Sequence, residues 1–260
     1  MVDEQDILAF GIKHSFPVFL FDSECKKVLH SSSGFLFFDP VLKSHLLLSV
    51  AHLFSDPSGS RKTGVFCGIK NGIPQYCRSP LISVQHFNEF AQTRSDYERI
   101  DVSFRLLKKN ESIFNIKYDP EGNDDIEMVG CDSFSVIGET NIVEPYYFYG
   151  SVKPQMHIDA NLEPLRIHAF RQCFEKIGYI KDEGFYHLFE LENYRSFTSD
   201  AYKGCSGAPI FNNRGELVSM LTGHEGNCII RGLNLCKVIP IIEQFFSLNL
   251  DNAEYKGLLK

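Results

Sequence analysis

The hexapeptide Gly204-Cys205-Ser206-Gly207-Ala208-Pro209 sets a serine at the tip of a turn made of small residues. Glycines on either side admit backbone conformations barred to residues with a Cβ. Such a turn exposes the Ser206 hydroxyl and aims backbone N–H groups at one point. Those are the two needs of acyl transfer, a nucleophile and an oxyanion hole. A hydroxyl also needs a general base, and the base needs an orienting group. His52 ends the apolar-rich run Leu46-Leu47-Leu48-Ser49-Val50-Ala51, and Asp101 begins a stretch in which Val102, Phe104 and Leu106 alternate onto one face. Taken singly, each has a plainer reading. His52 also fits a core histidine satisfied by a carbonyl, Asp101 fits a strand or turn cap, and Gly-Cys-Ser-Gly fits a hairpin approach.

The elements that must position these residues read as strands. The chain has 260 residues, 43% hydrophobic and 23% charged, enough to bury a sizeable core in one or two domains. Tryptophan is absent, so 23 phenylalanines carry much of the aromatic bulk. Short β-rich runs are divided by turn signals at Gly72-Ile73-Pro74, Asp119-Pro120-Glu121-Gly122-Asn123 and Asn213-Arg214-Gly215. This pattern predicts an all-β fold of barrels, not alternating strands and helices. Two helices are expected. One is a short segment over Asp3 to Ile12, packed outside. The other is an amphipathic closing helix over Val238 to Phe246, with Pro240 at or near its first turn. The polar stretch Lys108 to Asp125 is the expected connection between two halves.

Other function classes are disfavoured. The net charge of −7 argues against nucleic acid as the main partner, since phosphate binding needs a basic surface. No 18-residue apolar run exists to span a membrane. The acidic start Met1-Val2-Asp3-Glu4-Gln5-Asp6 lacks the apolar segment of a secretory signal, so a cytoplasmic location is expected and the eight cysteines are read as mostly reduced. Their spacing shows no Cys-x-x-Cys pair, and no metal site is expected.

The order His52, Asp101, Ser206, with these flanks, resembles the chymotrypsin/trypsin-like serine peptidases, HtrA-type members included. Ser33-Gly34-Phe35-Leu36 resembles the family's strand before its histidine, and Val50-Ala51-His52 resembles its Ala-Ala-His. Ile100-Asp101-Val102-Ser103-Phe104 resembles the family's Asp-Ile-Ala-Leu segment. Gly204 to Pro209 resembles its Gly-Asp-Ser-Gly-Gly-Pro, and Glu216 to Gly223 its pocket-lining strand. The resemblance covers about residues 15–247. It implies two six-stranded antiparallel β-barrels with a C-terminal helix. The division implied is an extension over 1–14, a first barrel over 15–110, a second over 111–237, and a helix and tail over 238–260. It further implies a serine endopeptidase acting on protein or peptide substrates, with catalytic His52, Asp101 and Ser206. The amides of Gly204 and Ser206 would form the oxyanion hole, and no cofactor is needed.

Specificity is left with two readings. Asp200 stands where trypsin-like enzymes place the carboxylate of the primary pocket, and would favour Arg or Lys. His224, after Thr222 and Gly223, would line the same pocket and favour acidic or Gln-like side chains. Both also fit solvent-exposed positions. Cys205 stands where secreted relatives carry the aspartate that pairs with a newly cut N-terminus, so activation by cleavage is not expected. The loop is then preformed or ordered by an activating protein partner, and Ser55 to Thr63 and Asp119 to Glu127 are the candidate regulatory loops. Cys205 also raises thiol catalysis as a rival, although its side chain is expected to point away from His52. The competing class is a catalytically silent domain that binds partners through the same cleft.

Overall fold

Leu46, Leu47 and Leu48 show how this chain builds its sheets. Leu46 and Leu48 leave β3 (Ser44–Ser49) on one face and Leu47 on the other, and all three are fully buried. Successive side chains alternate across a strand, so a strand covered on both sides reads as a continuous apolar run. The structure is a computed structural model. It describes residues 3–22, 28–52, 62–70, 73–78, 82–86, 98–109, 111–117, 127–152, 172–192, 202–226 and 228–249.

The first half contains α1 (Glu4–His14), β1 (Phe16–Phe21), β2 (Val28–Asp39), β3, β4 (Lys62–Lys70), β5 (Ile73–Arg78), β6 (Ile82–His86) and β7 (Glu98–Leu106). A hairpin of β8 (Phe114–Lys117) and β9 (Glu127–Gly130) follows, then the short β10 (Ser133–Phe134). The second half is β11 (Pro145–Ser151), β12 (Gln172–Glu183), β13 (Tyr186–Leu191), β14 (Pro209–Asn212), β15 (Leu217–Glu225), β16 (Ile229–Asn234) and α2 (Leu235–Asn249). Strands β11 to β16 form a closed antiparallel barrel in the order β11-β12-β13-β16-β15-β14. The first sheet runs β5-β4-β1-β2-β3-β7-β6, with β10 added parallel to β2. The all-β expectation holds. The second sheet is the six-stranded barrel expected, whereas the first is an eight-stranded sheet that stays open among the described residues.

Three apolar clusters fix the halves. One fills the first sheet around Phe16, Val18, Leu36 and Leu47, and a second fills the barrel around Tyr146, Phe148, Phe189 and Ile210. The largest lies between them. It joins Phe35, Leu48, Val102 and Phe104 to Phe211, Met220 and Leu233, and to Val238, Ile242 and Phe246 of α2. Fully burying such a side chain is worth roughly 1.5–3 kcal/mol, so this shared core holds the two halves as one packed unit.

Both helices form as expected, with changed bounds. Asp3 caps α1 by accepting the Gln5 N–H at 3.2 Å, and Glu4 and Asp6 complement the helix dipole. Gly11 lets α1 lie against β11, because a Cβ there would stand 2.7 Å from the Tyr149 Cβ. Helix α2 starts at Leu235, not at Val238, and Pro240 falls inside it. Asn234 accounts for the earlier start, its side-chain oxygen accepting the Lys237 N–H at 3.3 Å. The expected connection from Lys108 to Asp125 carries β8. Most of both candidate regulatory loops lies outside the described residues.

Two buried histidines give the fold an acid limit. His187 packs against Phe189, with Nδ1 2.6 Å from the Ser219 hydroxyl and Nε2 3.3 Å from Asp182. Burial pushes its pKa down to about 4. His14 stacks on Phe10 at 3.8 Å, and burial lowers its pKa as well. The unfolded chain takes up these protons near pH 6.5, before the folded protein does. The His187 contribution to stability is therefore intact above pH 6.5 and falls as pH drops toward 4, by up to about 1.4 kcal/mol per pH unit, and His14 acts in the same direction. The melting temperature is expected to fall steadily from pH 6.5 to 4.5, with a shallower slope in His187→Gln. An unchanged slope would remove His187 from this account.

Candidate active site

Asp101 lies on β7 on the face opposite Ile100, Val102 and Phe104, which enter the shared core. Its carboxylate gathers three donors. Oδ1 accepts the backbone N–H of Ala51 at 3.0 Å and of His52 at 2.8 Å, and Oδ2 lies 2.7 Å from His52 Nδ1. The first two bonds fix the chain where β3 ends and the third fixes the ring. An imidazole that donates from Nδ1 presents a bare Nε2 as a proton acceptor. The His52 side chain is 44% exposed and that of Asp101 19%, so the ring meets solvent while the carboxylate stays sheltered behind it.

Ser206 sits on a turn from Tyr202 to Gly207, half-buried. Gly204 has φ +100° and Gly207 φ +89°, a region that favours glycine. Gly207 has a second reason to be glycine, because a Cβ there would collide with the Ser33 carbonyl oxygen. Inside the turn, Cys205 N–H donates to Tyr202 O and Ala208 N–H to Cys205 O, each at 2.9 Å, and Gly207 N–H donates to Leu221 O at 2.7 Å. Among the described residues, no protein acceptor takes the amide of Gly204 or of Ser206.

The turn is fastened to the first sheet. Ser33 on β2 donates its N–H to Ser206 O at 2.8 Å, and Ser33 O accepts from the Ser49 hydroxyl at 2.7 Å. Ser49 ends β3, three positions before His52. Strands β2 and β3 are paired there, Gly34 opposite Ser49. The serine turn of one half is thus docked on the strand ends that lead to the His52–Asp101 pair of the other.

Cys205 is fully buried in the barrel core, packed beneath Gly150 and out of reach of solvent. A thiol held there is no surface nucleophile. Thr222 is half-buried at a bulge in β15, with its hydroxyl donating to Arg231 O at 3.2 Å. A Cβ on Gly223 would meet nothing within 4 Å. His224 is exposed, its Nδ1 3.1 Å from Gly226 O in the β15–β16 turn. Asp200 lies outside the described residues. Among those residues no cluster of His, Cys, Asp or Glu could hold a metal, and no helix is long and apolar enough to cross a membrane. A 780 Å³ cavity opens elsewhere, bordered by His45 and Leu107 at the opposite ends of β3 and β7 from the His52–Asp101 pair.

Nothing in the local sequence around Ser33 and Ser49 assigns them a role. Their signal was present as hydroxyls in otherwise apolar strands: Ser31, Ser32, Ser33 and Ser49 are all buried.

No family model matches the chain, and no curated protein matches it in sequence. Solved structures do match. The serine endoprotease from Yersinia pestis aligns over 95% of this chain and 68% of its own, with TM-score 0.54 and 12% identity. Deg5 aligns over 92% of this chain and 94% of its own, with TM-score 0.50 and 10% identity. At such identities the likeness is one of fold, and the fold is the chymotrypsin-like one that the resemblance implied.

Proposed function

We propose that this chain of chymotrypsin-like fold is a serine endopeptidase, cleaving peptide bonds through an acyl-enzyme at Ser206. The observation that carries the proposal is the three-donor grip on Asp101, which holds the His52 ring through Nδ1, together with the docking of the Ser206 turn on the strands that lead to it. In this reading Ser206 Oγ attacks the substrate carbonyl while His52 Nε2 takes the hydroxyl proton. Asp101 stabilises the imidazolium that forms, and the same proton passes to the leaving amine. Water then attacks the acyl-enzyme with His52 again as base, releasing the acid and restoring Ser206. The Gly204 and Ser206 amides bind the oxyanion, each donor being worth roughly 10² to 10³ in rate. Gly223 and Thr222 form a wall of the substrate pocket and His224 its rim, with Asp200 as the alternative determinant. The internal hydrogen bonds of the turn favour a site assembled without an activating partner.

The test is labelling of the folded chain with a fluorophosphonate, with Ser206→Ala and heat-denatured controls. Labelling is expected in the native chain and in neither control. A folded chain that resists the probe overturns the constitutively active enzyme and leaves a latent peptidase awaiting a partner or the silent, partner-binding domain.

A further inference from the structure

Ser33 is buried to zero exposure and is bonded on every side. Its N–H donates to Ser206 O at 2.8 Å. Its hydroxyl donates to Gly204 O at 2.9 Å and accepts the Ser151 N–H from β11 at 2.9 Å. Its carbonyl accepts from the Ser49 hydroxyl at 2.7 Å and from the Ser32 hydroxyl at 3.3 Å. One residue of the first sheet thereby touches the serine turn twice, the barrel once and the strand that leads to His52 once.

The two contacts with the turn fall on alternate peptide planes. Ser33 Oγ pins the Gly204–Cys205 plane through its carbonyl, and Ser33 N pins the Ser206–Gly207 plane. Between them lies the plane that carries the Ser206 amide, and just before them the plane that carries the Gly204 amide. Neither amide has a protein acceptor among the described residues. Backbone donors without partners are unfavourable unless water or a ligand satisfies them. A free turn would rotate a peptide to pair them, and Ser33 opposes that rotation. A hydroxyl suits the task because it donates to the carbonyl and accepts from β11 at once.

We propose that Ser33 is a positioning residue whose hydroxyl holds the Gly204–Ser206 turn in the form that keeps both amides open to an oxyanion. The proposal rests on the acyl-transfer reading of the site. Its test joins two measurements on Ser33→Ala and Ser33→Cys, the second keeping a weak donor. Crystal structures of both variants show whether the Gly204–Cys205 peptide turns over. Fluorophosphonate labelling and peptide hydrolysis show whether the oxyanion site is lost. The expected result for Ser33→Ala is a reoriented peptide, labelling slowed by on the order of 10²-fold, and kcat lowered with KM unchanged. Ser33→Cys should recover part of each. A turn unchanged in Ser33→Ala, or labelling within threefold of the native rate, overturns the role. If Ser33→Ala does not fold, the same criteria apply to Ser33→Cys, where an intermediate loss supports the role and a native turn overturns it. If the native chain itself does not label, the acyl-transfer reading fails for the isolated chain. The hold of Ser33 on the turn is then decided by the two crystal structures alone.

Discussion

His52→Ala should abolish peptide hydrolysis while leaving the fold intact. Loss of the base or nucleophile of a triad lowers kcat by on the order of 10⁶, because the remaining groups act only together. The structure separates this effect from stability. The ring is 44% exposed, and the backbone N–H of His52, which donates to Asp101, is kept by alanine. The change in folding stability should stay within about 1 kcal/mol, in the range of exposed substitutions. Thermal melts and steady-state kinetics on one preparation would show this. Retention of more than a hundredth of native activity would remove His52 as the general base.

Asp101→Asn should lower kcat by on the order of 10⁴ with KM little changed. An asparagine oxygen still accepts the Ala51 and His52 amides, so the chain path at the end of β3 survives. Its NH₂ group then faces His52 Nδ1, where Oδ2 stood. A donor there favours the ring tautomer with its proton on Nε2, which cannot accept the Ser206 proton. Asp101→Ala is a different lesion. It leaves the buried Ala51 amide without an acceptor, at a cost of about 1–3 kcal/mol, so its melting temperature should fall where that of the asparagine variant holds. Equal activity loss with equal destabilisation in both would mean that Asp101 serves structure alone.

How far the site was legible follows from what each residue does locally. Ser206 and its glycines announced themselves because φ near +90° and a close approach demand glycine within a short stretch. Asp101 was legible through its neighbours, since Val102, Phe104 and Leu106 alternate into the core. The closed barrel followed from many short strands. The open edge of the first sheet did not, because pairing over long separations leaves little local trace. The β8–β9 hairpin was read as part of a polar connection, although the turn signal at Asp119 to Asn123 lies between its strands. The early start of α2 was hidden by Pro240, which reads as a first-turn residue although Asn234 starts the helix. Ser33 was quoted as part of a strand but given no role. A serine's partners, here 118 and 171 positions away, are set by tertiary packing.

The hydrogen bonds that fasten Gly204 and Ser206 to the first sheet run between neutral groups, the hydroxyls of Ser33 and Ser49, peptide amides and peptide carbonyls. Tyr202 at the start of the turn, by contrast, donates its hydroxyl to the Glu175 carboxylate at 3.0 Å. Cys205 adds apolar packing where an ion pair could have stood. A latch of charges weakens as counterions accumulate around it, whereas a buried neutral latch has nothing for them to screen. The attachment of Gly204 and Ser206 to the first sheet should therefore hold from dilute buffer to molar salt, and the Tyr202–Glu175 contact is where added ions would first be felt.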